Sequence, residues 1–276
     1  MPELPEVETI KRGLLPVLVG RRLLRVVLRR SDLRWPLPDD FGQRLTNKLV
    51  LTVERRGKFL LIKLDDNTIW ISHLGMSGRF SIYDGEPPPE KLHDHIIVQT
   101  DEGITVRYND PRRFGFMDLI PACELSNHPR FSSMGPEPLD ADFTPATLME
   151  RLKGRTAPIK TALLDQGTVA GIGNIYACEA LHQAQISPKR LARSVQGRRA
   201  SRLHVAIIDV LKRAIEAGGS SLRDHRQPNG ELGYFQHNFF TYGRAGMDCL
   251  RCGAGYKVSQ IIQSGRSTFY CSNCQR

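Results

Sequence analysis

The spacing of hydrophobic and polar residues changes along this chain, and the change divides it into regions. Near the start, apolar residues recur at helical spacing and predict an amphipathic helix over residues 5–19 that ends at Gly20. From residue 21 to about residue 120, short β-rich runs alternate with polar turns. Such a series predicts a β-sandwich or a flattened barrel. The runs are 23–28, 49–53, 59–64, 68–72, 96–100 and 105–108.

The spacing becomes helical again after the proline-rich stretch 134–139, which is the predicted linker. Thr144 followed by Pro145 is typical of an N-cap and a first helical turn. Residues 218–238 are rich in Gly, Ser and polar types and are predicted to be a mobile loop. The predicted helices are 145–153, one beginning near 158, 175–183 with Asn174 as its cap, and 198–217.

This organisation predicts an α+β fold class in three parts. Residues 1–133 would form an N-terminal β-sandwich with an N-terminal helix. Residues 134–238 would form a helical domain, and residues 239–276 a metal-binding β-hairpin.

Four of the six cysteines form two C-x-x-C pairs that are separated by 18 residues. This spacing is typical of a tetrahedral site for one structural Zn²⁺, with a β-hairpin between the pairs. A disulfide interpretation requires an oxidising compartment, which nothing in the sequence indicates. The isolated Cys123 and Cys178 are predicted to be small buried hydrophobic residues. The four paired residues are Cys249, Cys252, Cys271 and Cys274.

The chain carries a formal net charge of +10. A strong positive excess favours polyanions, of which nucleic acid is the commonest, although charge alone does not separate DNA from RNA or from an anionic membrane surface. No run of about 18 apolar residues is present, so a transmembrane helix is not expected. The N-terminus is acidic and has no apolar secretory core, so we expect a cytosolic protein.

The first eight residues, from Met1 to Glu8, contain a candidate nucleophile. Removal of Met1 would leave the secondary amine of Pro2 at the terminus, and a terminal amine has a pKa of about 7.7–8.0. Such an amine can attack an electrophilic carbon and form a Schiff base, and Glu3 beside it could transfer protons. The ordinary interpretation is that these residues only begin a helix, with Pro5 in its first turn.

Three further stretches combine residue types that suit nucleic acid, and each has an ordinary alternative. Residues 109–115 place Arg112 and Arg113 beside Phe114, which could hold phosphate and enter a base stack, or could form a solvated turn. Met76 lies between glycines in 73–78, either at a loop tip or in the core. Residues 170–174 could expose backbone N–H groups to a phosphate, or could form a tight turn with a cap.

Two single cations have similar alternatives. Lys58 precedes an apolar strand and could extend from the strand end towards solvent, or could face a cleft as a second amine. Arg266 is predicted at or near the tip of the hairpin, where a metal-braced arginine suits phosphate contact. The alternative is an exposed loop arginine.

Together these motifs closely resemble one family, the bacterial formamidopyrimidine-DNA glycosylases, which remove oxidised purines and act as lyases. The resemblance implies an N-terminal β-sandwich catalytic domain, a helical domain of the helix-two-turns-helix type and a zinc finger. It also implies duplex DNA containing oxidised bases as the partner, no membrane association and a monomeric enzyme. The motifs run in family order as residues 2–9, 73–78, 110–115, 171–177 and the four paired cysteines.

The resemblance implies a role for each motif. Pro2 would attack C1′ of the damaged nucleotide, and Glu3 would act as acid and base. Lys58 would assist β-elimination, and Arg266 would assist δ-elimination while holding phosphate. Three residues, Met76, Arg112 and Phe114, would fill the gap left by the flipped nucleotide. Further DNA-binding positions would be His93, Arg113, Arg155, Lys160, Asn174, Arg223 and Tyr242.

One departure and two alternatives accompany this interpretation. The 18-residue spacing is two residues longer than is usual in the family, and we expect a longer hairpin with an intact metal site. The endonuclease VIII-like branch, which prefers oxidised pyrimidines, usually has Gly at the position of Leu4, and Val7-Glu8-Thr9 also argues against it. A non-catalytic zinc-ribbon DNA-binding protein would fit the charge and the cysteines, but it would not explain Pro2-Glu3 or Lys58.

Overall fold

The computed structural model describes residues 1–220, 228, 230 and 232–276. Arg223 and the central part of the predicted 218–238 loop lie outside these residues. The chain forms two compact units. Unit 1 comprises Met1–Ser132 with Ala217–Tyr234, and unit 2 comprises Ser133–Glu216 with Phe235–Arg276. The three-part division of the sequence stays a prediction.

The predicted N-terminal helix is confirmed as α1, Leu4–Leu18. Pro5 lies in its first turn, where a missing backbone N–H has no cost. The helix ends at Leu18 with the extended Val19 as its C-cap, and Gly20 follows in the left-handed region with φ of 78°. One face of α1 is fully buried, and it carries Leu4, Val7, Ile10, Leu14 and Leu18.

Within residues 1–220, unit 1 contains two antiparallel sheets of four strands each, in the orders β1-β6-β7-β5 and β2-β3-β4-β8. All six strands predicted from the sequence are confirmed. Two edge strands, β5 and β8, and a short helix, Phe41–Leu45 (α2), were not predicted. The strands are β1 Leu23–Leu28, β2 Val50–Arg56, β3 Phe59–Leu64, β4 Thr68–His73, β5 Arg79–Tyr83, β6 Asp94–Thr100, β7 Thr105–Asn109 and β8 Phe116–Pro121.

A single hydrophobic core in unit 1 joins both sheets and α1, as a β-sandwich requires. Trp70 of β4 lies in it, with ring-centroid distances of 6.1 Å to Phe41 and 6.5 Å to Phe80. Phe80 belongs to the opposite sheet, so its edge-on contact with Trp70 crosses the sandwich. The predicted sandwich is therefore confirmed.

The helices of unit 2 are α3 Pro145–Leu152, α4 Ile159–Leu164, α5 Asn174–Gln183 and α6 Arg198–Glu216. Thr144 is the predicted N-cap of α3, and its hydroxyl accepts the Thr147 N–H at 3.1 Å. The cap predicted for α5 is wrong, because Gly173 occupies that position and Asn174 is the first helical residue. The side chain of Asn174 donates instead to the carbonyl of Ser267 at 2.9 Å.

The C-terminal hairpin consists of β9 Asp248–Cys249, β10 Gly253–Gln263 and β11 Arg266–Cys271. The pairing of β10 with β11 is regular and closes through a two-residue turn, Ser264-Gly265, with φ of 49° and 70°. Positive φ at both positions is typical of a tight hairpin turn. The irregular backbone lies between Gly253 and Lys257, where β10 pairs with β9. The irregular backbone is therefore at the cysteine end rather than at the turn, and the expectation of a longer hairpin stays a prediction.

Two further expectations concern isolated cysteines and membrane association. Cys178 is buried as predicted, but Cys123 is exposed, so that prediction is wrong. Cys123 lies in a short 3₁₀ segment, Ala122–Asn127, of which no residue is buried. None of the helices in the described part of the chain is long and apolar enough to cross a membrane.

Candidate active site and nucleic-acid interface

The start of the chain is held in place by one carboxylate. Pro2 is buried, and Glu3 is 3 % exposed. One oxygen of the Glu6 carboxylate accepts the Glu3 backbone N–H at 2.8 Å. Its other oxygen accepts the backbone N–H and the hydroxyl of Ser220 at 2.8 and 2.9 Å. The segment that carries the candidate nucleophile and its neighbouring acid is therefore hydrogen-bonded to Ser220, near the start of the predicted 218–238 loop.

Lys58 lies in the two-residue turn between β2 and β3, and it is 7 % exposed. An ion pair between Arg55 Nε and Glu8 Oε2, at 3.0 Å, joins this hairpin to the first turns of α1. Burial opposes ionisation of Glu8, but the hydrogen bonds and charges of Lys11 and Arg55 outweigh it, so the Glu8 pKa is lowered. The ion pair therefore holds the hairpin that carries Lys58 against the N-terminal helix.

His73, at the end of β4, connects this region to the loop that carries Met76. Its ring lies 4.7 Å from the ring of Phe59, and its Nδ1 accepts the backbone N–H of Gly75 at 3.1 Å. Burial lowers the pKa of His73 to about 4, with smaller contributions from the charges of Lys58 and two arginines. His73 is therefore neutral, as its acceptor role at Nδ1 requires.

We expect the stability of unit 1 to fall as the pH falls from about 6.5 towards 4. An unfolded chain binds a proton at His73 near pH 6.5, whereas the folded protein binds it only near pH 4. Between pH 6.5 and 5 this difference should remove about 2 kcal/mol from the free energy of unfolding. Trp35 and Trp70, the two tryptophans of the chain, both lie in unit 1, so their fluorescence during denaturant unfolding measures it.

His73→Gln is the matched variant for that measurement, because its amide oxygen can still accept the Gly75 N–H. We expect its unfolding free energy to lose about 2 kcal/mol less than the wild type over the same pH interval. Parallel losses in the two proteins would contradict the assignment to His73.

A buried carboxylate organises the loop that contains Arg112 and Phe114. Asp110 is fully buried, and its two oxygens accept the Ser77 hydroxyl at 2.5 Å and the Gly115 N–H at 2.8 Å. The same Ser77 oxygen accepts the backbone N–H of Arg112 at 3.1 Å. These bonds join the 73–78 loop to the 110–115 loop through groups that are shielded from water, where hydrogen bonds are strongest.

The two loops also touch backbone to backbone. A Cβ at Gly75, which has φ of 60°, would overlap the carbonyl group of Phe114, so only glycine fits this approach. Met76 and Phe114 are nevertheless exposed, at 40 % and 41 %. The Arg112 guanidinium lies 4.8 Å from the centroid of the Phe114 ring. The structure therefore brings together the three predicted gap-filling residues on one face of unit 1.

Two other predicted residues of unit 1 flank this face. The backbone carbonyl of His93 accepts the Asp110 N–H at 3.1 Å, which places the partly buried His93 beside the loop. Arg113 is exposed and has φ of 55°, a left-handed conformation that directs the chain around the turn.

The predicted contacts at the start of unit 2 differ in accessibility. Arg155 is partly exposed, but its Nη1 pairs with Asp165 at 2.7 Å. Lys160 is fully buried on α4, so its burial does not support direct phosphate contact. Of the predicted phosphate seat, the Gly171 N–H already donates to Gln166 Oε1 at 2.9 Å. One N–H of the predicted seat is therefore already used within the turn, and phosphate binding there stays a prediction.

A second buried carboxylate positions Tyr242. Glu179 of α5 is 3 % exposed, and it accepts the backbone N–H groups of Phe240, Thr241 and Tyr242 at 2.8–2.9 Å. Burial raises the pKa of Glu179, and the three N–H bonds, which favour the carboxylate, offset part of that rise. The Tyr242 ring then packs edge-on against Phe269 of β11 at 5.0 Å.

Arg266 is the first residue of β11, directly after the Ser264-Gly265 turn, and it is exposed. The bond from Asn174 to the Ser267 carbonyl attaches this end of the hairpin to the start of α5. The prediction that Arg266 lies at the hairpin tip is confirmed, and unit 2 brings Asn174 to the same place.

The four predicted ligands form one cluster, in which all sulfur atoms lie within 4.8 Å of one another. Cys249 and Cys274 are 3.9 Å apart, and Cys252 and Cys271 are 3.8 Å apart. Tetrahedral zinc with Zn–S bonds of about 2.3 Å separates its sulfurs by about 3.8 Å, so the geometry fits a metal ion. The Nε2 of His182, on α5, lies 3.5 Å from the Cys249 sulfur and can support the ligand from outside the cluster.

The sequence interpretation missed the organising roles of Ser77, Asp110, Glu179 and His182. The sequence placed Asp110 and Ser77 in their motifs but did not indicate that their side chains bond to each other. The partners of Glu179 lie 61–63 positions away in sequence, so no local pattern indicates them.

Comparison with known proteins was consistent across the whole chain. Residues 1–117 match the profile of the formamidopyrimidine-DNA glycosylase N-terminal domain, and residues 134–226 match that of its H2TH domain. A formamidopyrimidine-DNA glycosylase of Rhodospirillum centenum is 53 % identical, with full coverage of both chains.

Two solved structures of Lactococcus lactis Fpg (MutM) are also similar. One contains DNA with an N7-benzyl-Fapy-dG and is 34 % identical, with a TM-score of 0.89 and full coverage of both chains. The other contains DNA with an abasic site and is 35 % identical, with a TM-score of 0.89 and 99 % coverage of each chain. With an α+β fold, joined Met76 and Phe114 loops, a four-cysteine cluster and full-length identity above one half, the chain belongs to the formamidopyrimidine-DNA glycosylase family.

Proposed function

We propose that this protein is a bifunctional base-excision-repair enzyme, a DNA glycosylase and abasic-site lyase that removes oxidised purines from duplex DNA. The observation that carries the proposal is the exposed face formed by Met76, Arg112 and Phe114. Exposed apolar side chains on two mutually braced loops suit insertion into a base stack. An adjacent arginine suits contact with a base or a phosphate at the gap that the flipped nucleotide leaves.

The glycosylase step begins with removal of Met1, which makes the Pro2 nitrogen a free amine. Its lone pair forms a bond to C1′, and the electron pair of the glycosidic bond leaves with the base. Loss of the sugar ring oxygen from C1′ then gives a Schiff base between C1′ and Pro2. Glu3, buried beside Pro2, would supply and remove the protons of these steps.

Two cations would serve the lyase steps. Lys58 would assist β-elimination, which breaks the C3′–O bond of the Schiff-base intermediate. Arg266 would hold phosphate and assist δ-elimination at C5′. We propose His93, Arg113, Asn174, Arg223 and Tyr242 as further DNA contacts, whereas the ion pair of Arg155 and the burial of Lys160 make those two weaker candidates.

Replacing Phe114 with Ala should slow excision by about tenfold to a hundredfold, because a lost stacking contact is worth about 1–3 kcal/mol. Binding to an undamaged duplex should change much less, since phosphate contacts supply that affinity. Single-turnover excision and equilibrium binding measure the two effects. Leu24→Ala is the control, because Leu24 is also an exposed apolar residue of unit 1, at 51 %. Equal losses in excision and in undamaged-duplex binding would count against the wedge role.

We propose that the metal is a single structural Zn²⁺ held by Cys249, Cys252, Cys271 and Cys274. All-thiolate ligation and the tetrahedral sulfur spacing suit zinc, and a fully ligated site supplies folding energy rather than chemistry. The enzyme would act as a monomer in the bacterial cytoplasm, where thiols stay reduced.

Borohydride trapping tests the reaction class. A duplex with 8-oxoguanine opposite cytosine should give a covalent protein–DNA adduct, because borohydride reduces the Schiff base. An adduct only with an oxidised pyrimidine would indicate endonuclease VIII-like specificity. Tight DNA binding without an adduct on either duplex would support a non-catalytic zinc-ribbon protein instead.

A further inference from the structure

Unit 2 carries a stretch of unusual charge, residues 189–202, which we call the basic stretch. It contains six cations in 14 positions, and no acidic residue occurs from 180 to 208. It begins after Pro188, passes through a 3₁₀ segment, Ala192–Ser194, and ends in the first turns of α6. The cations are Lys189, Arg190, Arg193, Arg198, Arg199 and Arg202.

These cations are not used to stabilise the fold through ion pairs. Among the described residues, none of the six lies within ion-pair distance of a carboxylate, whereas Arg155 and Arg213 pair with Asp165 and Asp209 at 2.7 and 3.0 Å. All except Arg190 are exposed. The charge of the basic stretch is therefore available to a ligand.

Three of the cations also occupy unfavourable positions. Arg198, Arg199 and Arg202 lie in the first turns of α6, which has no acidic residue in its first turn. The helix dipole makes this end positive, so a cation there is electrostatically unfavourable. Arg198 and Arg202 are also four positions apart, where like charges repel. A bound anion would relieve both effects.

The basic stretch continues the surface that carries Arg266. The side chain of Gln263, paired with Arg266 across the hairpin, donates to the Pro188 carbonyl at 3.2 Å. The Lys189 ammonium lies 5.1 Å from the centroid of the Tyr270 ring in β11. Further along, the Arg193 backbone N–H donates to the carbonyl of Arg155 at 3.0 Å.

We propose that the basic stretch is an additional DNA contact that binds backbone phosphates of the duplex flanking the lesion. This inference rests on the proposed function. Duplex DNA carries about one charge per 1.7 Å of axis, so a row of unpaired cations beside a phosphate-binding hairpin matches its charge density. The contact adds affinity that is independent of sequence and lesion, and the chemical step does not depend on it.

The test replaces three of the exposed arginines with glutamine in one protein: Arg193→Gln, Arg198→Gln and Arg199→Gln. Glutamine is uncharged and favours the helical conformation, so α6 should be retained. Binding to a long lesion-containing duplex should weaken at least tenfold at moderate salt. The slope of log K against log salt should become shallower by about 2–3, because each lost phosphate contact contributes about 0.9. Binding to a duplex trimmed to the few base pairs around the lesion should change little.

The control variant loses the same amount of positive charge from unit 1, through Arg21→Gln, Arg22→Gln and Lys63→Gln. Each of these three residues forms an ion pair with a carboxylate. An unchanged slope in the arginine variant, or an equal change in the control, would overturn the proposal. An unchanged slope would leave an acidic protein as the alternative partner. Borohydride trapping with the wild-type protein at saturating concentration tests the proposed chemistry separately from the basic stretch. A wild-type protein that gives no adduct would contradict the proposed chemistry and would leave the proposed DNA contact untouched.

Discussion

Replacing Pro2 with Gly should abolish most of the covalent adduct and slow strand cleavage by at least about a hundredfold, which corresponds to about 2.7 kcal/mol of activation free energy. Glycine would still present an amine after removal of Met1, but a primary one on a freely rotating backbone. Pro2 is buried and its ring fixes φ, so its nitrogen is held in one orientation. A displacement of about 1 Å at a reacting atom can cost on the order of a hundredfold in rate.

Affinity for the lesion duplex should be nearly unchanged in the same variant. The residues proposed to enter the base stack, Met76 and Phe114, lie on loops braced by Asp110 rather than by the N-terminus. Binding and chemistry should therefore separate. Equilibrium binding and single-turnover trapping on the duplex with 8-oxoguanine opposite cytosine measure the two quantities, with mass spectrometry to verify that Met1 is absent.

Pro16→Ala is the matched control, because it removes an exposed proline from the same helix without altering the terminal amine. It should retain the adduct and the cleavage rate. Undiminished turnover in Pro2→Gly would refute the nucleophile assignment. Loss of DNA affinity in parallel with activity would indicate a structural role for Pro2 instead.

The sequence predicted the strands with strong apolar runs and missed those without them. β5 and β8, the two unpredicted strands of unit 1, are edge strands, but so are β1 and β2, which were predicted. What differs is the apolar run, which Arg79 and Ser81 interrupt in β5 and Asp118 interrupts in β8, whereas five of the six residues of β1 are apolar. Arg79 begins β5 and Pro121 ends β8, and Pro is tolerated there because an edge leaves backbone groups unpaired.

The cysteine cluster was predictable because one residue type at a fixed spacing carries its chemistry. The candidate site was not predictable where a side chain acts on a distant backbone. Asp110 and Ser77 are 33 positions apart, and only the folded sandwich brings them together. The cap predicted at Asn174 failed for the same reason, because its amide bonds to Ser267, 93 positions away. Local propensity favours a cap, and the tertiary partner overrides it.

Cys249→Ser should disorder the C-terminal hairpin and weaken binding to lesion DNA by at least tenfold. Cys249 and Cys271 belong to a small hydrophobic cluster with Val258 and Phe269. A cluster of this size cannot order a hairpin alone, and structural zinc typically supplies about 10 kcal/mol or more of apparent folding free energy. Serine is a poor zinc ligand, so the variant should lose the metal.

The effect should extend beyond the hairpin because α5 connects the cluster to the proposed DNA contacts. His182 lies 3.5 Å from the Cys249 sulfur, and one turn earlier on the same helix Glu179 holds the backbone of Tyr242. At the start of α5, Asn174 holds the residue after Arg266. If the cluster holds a metal, its loss should loosen the strand that begins at Arg266 and the Phe269 surface against which Tyr242 packs.

Metal content by mass spectrometry, hydrogen exchange of the β10 and β11 amides, and affinity for lesion DNA measure the three consequences. Cys123→Ser is the control, because Cys123 is exposed and lies outside the cluster. It should change none of them. Since the β-sandwich has its own core, Trp fluorescence of Cys249→Ser should still report a folded unit 1. A metal-free Cys249→Ser protein with protected hairpin amides and wild-type affinity would show that the fold, rather than the metal, positions Arg266.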